Sequence, residues 1–255
     1  MTLGYARFGS GPEPVLVMHD WSGGHSNYDP ILPYLDGNRF SYVFVDLRGY
    51  GLSRDIPGRY TVQEVAADCL DVTDSLRWER FHLIGHSMTG LVTQWLAARA
   101  TSRVKSAIAV CPVSAAGLPL DDATWQYFCS VTEDDRAYRE LQRGLCANRL
   151  SERWLDAKLK WNRASTAPEC RKAYLSMFSK ADFADEVRRL PTPYLIVVGE
   201  HDAQGLRAED MKHTFLSMHP NAELAVVPNC GHYPMQECPP YFATLIEEFL
   251  GRSRA

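Results

Sequence analysis

Short apolar runs alternate with helical patterns over the first 111 residues of the chain. The apolar runs are residues 15–18, 42–45, 81–84 and 104–110, and most of their side chains are β-branched or aromatic. Short, continuously apolar runs of this kind predict strands that are buried on both faces of a sheet. Between the second and third runs, a capping box of Thr61 and Glu64 starts a helical apolar stripe that reaches Leu76. Strand, helix and strand in this order predict parallel strands joined by crossover helices.

The pattern changes between residues 112 and 190, where helical stretches follow one another without a convincing strand. Acidic residues, serine or proline mark four helix starts, near residues 121, 134, 151 and 167. The alternation then resumes, with strands predicted at 194–198 and 223–227 and helices at 207–218 and 241–250. We therefore predict an α/β fold with a mostly parallel central sheet and helices on both faces. Its two core segments, 1–111 and 191–255, are separated by an all-helical insert, 112–190.

Composition limits the partners and the cellular compartment that the sequence predicts for this protein. The chain has 255 residues and a net charge of −4, so nothing favours nucleic acid or an anionic membrane as a partner. Its seven cysteines are scattered and never spaced as C-x-x-C, which argues against a disulfide framework and against a zinc site. No signal peptide and no apolar run of membrane-spanning length is recognisable. These features predict a reduced, cytoplasmic protein without a bound metal.

The segment from Phe81 to Gly90 predicts a strand that turns sharply into a helix. The predicted strand runs into Gly85, His86, Ser87 and Met88, and the helical pattern follows at 91–98. A serine on so tight a turn adopts a strained backbone and projects its hydroxyl away from the sheet. The next N–H, that of Met88, lies at a helix N-terminus and can donate to a developing oxyanion. Ser87 is therefore the candidate nucleophile, although Thr89 stands where the G-x-S-x-G pattern has glycine.

Two further candidates lie just past later predicted strands. Asp202 follows the strand at 194–198, and His232 follows the strand at 223–227. A serine nucleophile needs a base, and the base needs a group that orients it. Open parallel sheets bind ligands at their carboxyl edge, where all three side chains are expected. Glu200 is a rival acid, but strand alternation predicts that it points elsewhere.

Four patterns make the chain similar to the α/β-hydrolase fold superfamily. They are His19-Asp20-Trp21, residues 46–53, Gly85-His86-Ser87-Met88, and the segments 199–202 and 231–232 taken together. The resemblance implies that Trp21 supplies a second oxyanion N–H beside that of Met88. It implies bracing roles for Asp46 and Arg48, and it implies that the insert covers the site as a lid. Asp20 replaces a glycine of the family pattern, so we expect its carboxylate to point away from the oxyanion or to be paired.

These candidates predict a two-step acyl transfer that needs neither a metal nor an organic cofactor. The predicted substrate is a small, partly apolar carboxylic ester or lactone, because the insert is rich in aromatic residues. Most basic residues of the insert, a group that includes Lys158, are expected on the solvated surface. The protein is predicted to be a monomer or a homodimer.

Two kinds of alternative stay open. The first is another reaction on the same fold: hydrolysis of a C–C bond, or cofactor-free peroxidase chemistry. The second is a receptor or binding protein that keeps the three residues and turns over slowly. Turnover of short p-nitrophenyl esters, and its dependence on Ser87, separates these hypotheses.

Overall fold

A seven-stranded sheet forms the centre of the molecule in the computed structural model, which describes residues 2–252. The strands are β1 (Tyr5–Phe8), β2 (Glu13–Met18), β3 (Phe40–Val45), β4 (Phe81–His86), β5 (Val104–Val110), β6 (Tyr194–Gly199) and β7 (Glu223–Val227). Their order across the sheet is β1-β3-β2-β4-β5-β6-β7. Only the β1–β3 pair among these is antiparallel, so the predicted mostly parallel sheet is confirmed.

Helices connect the strands. They are α1 (Val62–Ser75), α2 (Thr89–Arg99), α3 (Asp122–Val131), α4 (Asp135–Leu145), α5 (Glu152–Ser165), α6 (Pro168–Lys180), α7 (Ala208–His213), α8 (Phe215–Met218), α9 (Pro234–Glu237) and α10 (Pro239–Arg252). Short 3₁₀ segments lie at His25–Tyr34, Gly51–Ser53 and Ala184–Val187. No helix among residues 2–252 is long and apolar enough to cross a membrane.

The sequence pattern missed two features of this architecture. Strand β1 is only four residues long and lies at the sheet edge, where a strand has few neighbours to demand an apolar pattern. The helix predicted at 207–218 is two short helices, because Thr214 between them leaves the helical conformation (φ −103°, ψ −86°). Every other predicted strand and helix of the core is present to within a few residues.

Helices α3 to α6 lie within the insert, and their starts are those that the sequence predicts. The carboxylates of Asp121 and Asp134 accept hydrogen bonds from the N–H groups of Thr124 and Ala137. Ser151 caps α5, and Pro168 begins α6. Each cap satisfies an N–H group that the first turn of a helix leaves unpaired. Within residues 112–190 the described chain contains no strand of the sheet.

Side-chain alternation divides the core into two clusters, one on each face of the sheet. On β2, Leu16 and Met18 pack with helices α1 and α2, whereas Val15 and Val17 pack with the 3₁₀ segment 25–34 and with α10. All four side chains are buried. Burying each apolar side chain of this size contributes about 1.5–3 kcal/mol. Both faces of the sheet are therefore closed, and its carboxyl edge is left to the loops.

The seven cysteines are all free thiols. Cys129 and Cys238 are partly exposed. The other five are buried: Cys69, Cys111, Cys146, Cys170 and Cys230. The prediction that the chain has no disulfide framework is consistent with this arrangement.

Candidate active site

The turn between β4 and α2 holds Ser87 in a strained backbone conformation. Ser87 has φ +55°, in the left-handed region that non-glycine residues seldom adopt. Backbone hydrogen bonds fix it there: Ser87 N–H donates to the Val110 carbonyl over 2.8 Å, and the Ser87 carbonyl accepts from Val113 N–H over 3.0 Å. A Cβ on Gly85 would lie 2.5 Å from the Thr89 carbonyl oxygen, so the turn requires glycine at that position.

Thr89, the departure from the G-x-S-x-G pattern, has a structural function. Its hydroxyl accepts a hydrogen bond from the His86 N–H over 2.8 Å and lies 3.0 Å from the His19 carbonyl, to which it can donate. The glycine that permits close packing comes one residue later, because a Cβ on Gly90 would collide with Pro112. The threonine hydroxyl therefore ties this turn to the end of β2, a link that glycine cannot make.

Asp202 and His232 lie together at the carboxyl edge of the sheet. The Nδ1 atom of His232 is 2.9 and 3.0 Å from the two carboxylate oxygens of Asp202, and both side chains are buried. The Ala203 N–H also donates to Asp202, over 2.7 Å. Burial on its own lowers the pKa of His232, but the nearby carboxylates, Asp202 first among them, together outweigh burial and raise that pKa above its usual value. The pair can hold a proton on Nδ1 and leave Nε2 as the basic nitrogen.

The loop that carries His232 is attached to the residue before Ser87. The His86 Nε2–H donates to the His232 carbonyl over 2.8 Å, and the two imidazole ring centroids lie 5.0 Å apart. The His232 N–H donates to the Leu145 carbonyl at the end of α4, over 3.0 Å. Within residues 2–252, neither the Ser87 hydroxyl nor Nε2 of His232 makes a hydrogen bond to another side chain. Neither atom is therefore engaged by another described side chain, and contacts between such groups often tighten only when substrate binds.

The neighbours of the Asp202–His232 pair decide between Asp202 and Glu200 as the acid, and they include a group of potential metal ligands. Glu200 accepts a hydrogen bond from the Asn229 N–H over 2.8 Å and has a half-exposed side chain, so it turns away from His232. Cys111 Sγ, a carboxylate oxygen of Asp202 and a ring nitrogen of His232 lie within 4.8 Å of one another. This is the one group of potential metal ligands among the residues described. Within this group, the Nδ1 atom of His232 already makes a hydrogen bond to Asp202, and all three side chains are buried.

Two backbone N–H groups near the turn have no protein acceptor. Within the described chain, neither the Met88 N–H at the start of α2 nor the Trp21 N–H donates to another backbone or side-chain group. The Trp21 side chain is anchored elsewhere, because its indole N–H donates to the Arg171 carbonyl over 2.7 Å. Its ring packs against Phe128 and Phe178 of the insert, with centroid distances of 5.9 and 5.7 Å. Trp21, which carries one of these two N–H groups, therefore forms an aromatic wall with Phe128 and Phe178.

Asp20 is buried and paired, as expected. Its carboxylate accepts hydrogen bonds from the Ser22 N–H over 3.0 Å, from the Asn27 amide over 2.6 Å and from the Tyr233 hydroxyl over 2.9 Å. The Asn27 amide oxygen in turn accepts from Lys158 Nζ over 3.0 Å. Asn27 therefore bridges the carboxylate of Asp20 and the ammonium of Lys158.

Lys158 is an exception to the expectation that most basic residues of the insert are solvated. This lysine is only 7% exposed, and its ammonium lies 4.2 Å from the centroid of the Tyr233 ring. The insert supplies two more polar contacts to the same loop: Gln142 donates to the Ser22 hydroxyl over 2.9 Å, and Asn162 donates to the Ser22 carbonyl over 3.2 Å. Sequence reasoning missed these residues because their partners lie 120–140 positions away. A lysine within an otherwise amphipathic helix carries no local signal of burial.

The segment 46–53 braces the loops, as the resemblance implies. The Asp46 carboxylate accepts from the His25 N–H over 2.7 Å and from the Leu52 N–H over 2.9 Å, and it lies 2.6 Å from His25 Nδ1. These contacts lower the pKa of Asp46, although burial opposes the shift. Arg48 makes a two-pronged contact with Asp68 of α1, at 2.6 and 2.7 Å. A Cβ on Gly51 would collide with the Asp46 carboxylate, so glycine is required there.

Comparison with protein families and curated proteins gives consistent matches. The model of the "Alpha/beta hydrolase family" matches residues 8–245. The chain is 28% identical over 254 residues to the pimeloyl-[acyl-carrier protein] methyl ester esterase of Nitrosomonas europaea, with 94% of this chain and 96% of that protein covered. It is 24% identical over 266 residues to 3-oxoadipate enol-lactonase 2 of Acinetobacter baylyi, with 99% and 94% covered. A shorter match, 34% over 97 residues, covers 37% of this chain and 29% of the serine hydrolase-like protein of Danio rerio.

Solved structures agree on the architecture. The chain superposes on a bromoperoxidase from Bacillus anthracis with a TM-score of 0.87, covering 97% of this chain and 94% of that one at 22% sequence identity. At this identity the likeness shows the fold, and chemistry has to be argued from the site.

Proposed function

Because the chain belongs to the alpha/beta hydrolase family, we propose that it is a serine hydrolase that cleaves a carboxylic ester or lactone through an acyl-enzyme. Ser87 is the nucleophile, His232 the base and Asp202 the group that orients the base. The observation that carries this proposal is the buried Asp202–His232 pair, attached through His86 to a serine held at positive φ. A serine and an imidazole oriented by a carboxylate are the parts that nucleophilic acyl transfer requires.

The first step forms the acyl-enzyme. The Ser87 oxygen attacks the substrate carbonyl carbon while His232 Nε2 takes the hydroxyl proton, and the carbonyl π electrons move to the oxygen. The oxyanion then re-forms the carbonyl and expels the alkoxide, which leaves as an alcohol with the proton from His232. Asp202 keeps the Nδ1 proton in place and stabilises the imidazolium, which agrees with the raised pKa of His232.

The second step returns the enzyme to its starting state. Water attacks the acyl carbon, His232 accepts one proton of that water, and the Ser87 oxygen leaves with the proton returned. Both tetrahedral intermediates carry an oxyanion, for which the unpaired N–H groups of Met88 and Trp21 are the proposed donors. Each such donor contributes about 3 kcal/mol of transition-state stabilisation.

The aromatic wall supports a substrate with an apolar portion. Trp21, Phe128 and Phe178 form one packed group next to the proposed oxyanion donors, and two of the three belong to the insert. We propose that the insert acts as a lid and that its aromatic side chains select a small, partly apolar acyl or alcohol group. The esterase and enol-lactonase named above, both matched over most of their length, support the ester and lactone classes.

Hydrolysis of p-nitrophenyl acetate and butyrate tests the proposal. We expect turnover by the wild type and loss of at least about 10³-fold in kcat in Ser87→Ala, since the nucleophile is removed. Ser130→Ala, which removes an exposed serine hydroxyl on α3, is the matched control and retains activity. A fluorophosphonate probe is expected to label the wild type and Ser130→Ala but not Ser87→Ala.

The same experiment separates the alternatives. A C–C bond hydrolase or a cofactor-free peroxidase is indicated if Ser87 is labelled by the probe but esters and lactones are not turned over. A receptor or binding protein is indicated if Ser87 is labelled but every ester and lactone tried is turned over only very slowly. Either result would overturn ester or lactone hydrolysis as the function.

A further inference from the structure

A second buried carboxylate lies close to the imidazole of His232. Asp20 Oδ1 is 3.9 Å from Nδ1 of His86, and the His86 ring centroid is 5.0 Å from that of His232. All three side chains are buried. His86 Nε2–H donates to the His232 carbonyl, and burial lowers the pKa of His86 to about 3, so His86 is a neutral ring between the two groups.

Asp20 is held in its ionised form. Burial alone raises the pKa of a carboxyl group, but the Lys158 ammonium and the nearby histidines outweigh burial and lower the pKa of Asp20 well below its usual range. Three hydrogen bonds, from the Ser22 N–H, the Asn27 amide and the Tyr233 hydroxyl, stabilise the charged form further. A full negative charge therefore lies in the protein interior at this point.

Lys158 is the positive charge that balances it, and it comes from helix α5 of the insert. Among residues 2–252 no carboxylate oxygen lies within 4.0 Å of its Nζ atom, so its link to Asp20 runs through the Asn27 amide. Burial lowers the pKa of Lys158, and Asp20 opposes that shift. Each charge thus favours the ionised form of the other, and one belongs to the core while the other belongs to the insert.

We propose that Asp20 is a positioning residue whose buried carboxylate, together with Lys158 of the insert, adjusts the proton affinity that Asp202 gives to His232. This inference rests on the serine hydrolase function proposed above, in which His232 is the base. Asp20 stabilises the imidazolium form, and Lys158 disfavours it. Seating of the insert on the core therefore contributes directly to the basicity of the site.

Other titratable groups also surround His232, and the effects of Asp20 and Lys158 add to theirs. Asp202 bonds to the imidazole, Glu237 of α9 faces it across the loop, and the neutral Cys111 thiol lies at the end of β5. Asp202 makes the largest electrostatic contribution to the raised pKa of His232, and those of Asp20 and Glu237 are smaller. In a dry interior, charges act over longer distances than in water, which lets a carboxylate beyond hydrogen-bonding range influence the base.

The two charges predict opposite effects. Asp20→Asn removes an anion, so the pKa of His232 falls and the acidic limb of kcat/KM moves to lower pH. Lys158→Met removes a cation while three hydrogen bonds keep Asp20 ionised, so the pKa of His232 rises and the limb moves to higher pH. The double variant is expected between the two. A merely structural role would move the midpoints of both single variants in the same direction or leave both unchanged.

NMR titration of the His232 ring in each variant tests this, together with the pH profile of kcat/KM for p-nitrophenyl butyrate. Lys160→Met removes an exposed charge from the same helix and is expected to leave the midpoint unchanged. Where Asp20→Asn does not fold, Lys158→Arg, which keeps the charge, is compared with Lys158→Met: only the methionine variant is expected to shift. Opposite shifts, or this difference between arginine and methionine, support the inference.

Shifts in the same direction, or none, overturn it. The NMR titration needs no turnover, so it decides the inference even in a protein that hydrolyses no ester. Conversely, Ser87-dependent hydrolysis with unchanged His232 midpoints would reject the role of Asp20 and Lys158 and leave the serine hydrolase function standing.

Discussion

Two segments, which we call the nucleophile turn (residues 85–90) and the oxyanion loop (residues 19–28) after their proposed roles, are held in different ways. The turn is fixed by backbone contacts with the neighbouring strand end, through the N–H and carbonyl groups of Ser87. The oxyanion loop is fixed by side chains of the insert: Gln142, Lys158 and Asn162 all reach it. Local geometry therefore sets the position of the nucleophile, whereas the position of Trp21 depends on a distant part of the chain. Activity and stability should respond differently in the two regions.

The largest expected loss of activity is at Asp202, which orients the proposed base and lies just past the end of β6. Asp202→Asn puts an amide where the carboxylate fixes the Nδ1 proton, so kcat should fall about 10⁴-fold, equivalent to about 5 kcal/mol. Steady-state hydrolysis of p-nitrophenyl butyrate measures this. Glu200→Gln, a matched change two residues away, should retain more than half of the activity. Comparable losses in both variants would reject Asp202 as the orienting acid.

Thr89→Val tests how far the turn depends on its own backbone. The valine leaves the buried His86 N–H without its acceptor, which should cost about 2–3 kcal/mol in the free energy of unfolding. Urea denaturation measures this cost, and Thr89→Ser, which keeps the hydroxyl, should recover most of it. The backbone bonds of Ser87 are intact in Thr89→Val, so kcat should change less than threefold under conditions where it is folded. A large loss of kcat would show that the backbone hydrogen bonds of Ser87 do not hold the turn without the Thr89 hydroxyl.

Gln142→Leu is the corresponding test of the oxyanion loop. It removes the donor to the Ser22 hydroxyl, so the loop that carries Trp21 loses one of its anchors. Slight misplacement of an oxyanion donor should lower kcat about tenfold, or about 1.4 kcal/mol. Glu140→Gln, at an exposed position of the same helix, serves as the control. An unchanged kcat in Gln142→Leu would mean that the insert does not position the loop.

The smallest effect concerns His25, at the far end of the same loop. The hydrogen bond to Asp46 raises the pKa of His25, so the folded state binds its proton more tightly than the unfolded state does. This contribution is fully present below the unfolded pKa of about 6.5 and is lost as pH rises through the folded value. The stability deficit of His25→Ala should be larger at pH 5.5 than at pH 8.5 by about 0.5–1 kcal/mol. Urea denaturation at both pH values checks the sign, and an equal deficit would contradict it.

The same contrast explains what the sequence could predict. The apolar runs give the strands, and the strand-turn-helix pattern around Ser87 gives a turn whose positive φ the structure bears out. Asp202 and His232 were identified because each follows a strand end, and parallel strands bring their ends to one edge. These features depend on short stretches of chain, so their signals are local.

The contacts that anchor the oxyanion loop could not be predicted. Burial of Lys158 depends on Asn27 and Tyr233, which lie far away in sequence, and no helical pattern shows which lysine finds such partners. The sequence predicts that Asp20 points away or is paired, because a carboxylate beside an oxyanion is unfavourable, but that argument does not name the partner. Tertiary packing decides such contacts.

The buried thiols can report the order in which parts of this fold open. A thiol-alkylating reagent attacks only accessible thiolates, so in the native protein Cys129 and Cys238 should react first. Cys170 packs its Sγ against the Gly49 carbonyl where α6 meets the core, and it becomes reachable only if the insert separates. Cys69 lies on the buried face of α1, and its alkylation requires opening of the core. The order in which cysteines are alkylated would therefore report, in one mass-spectrometric time course, whether the insert detaches before the core unfolds.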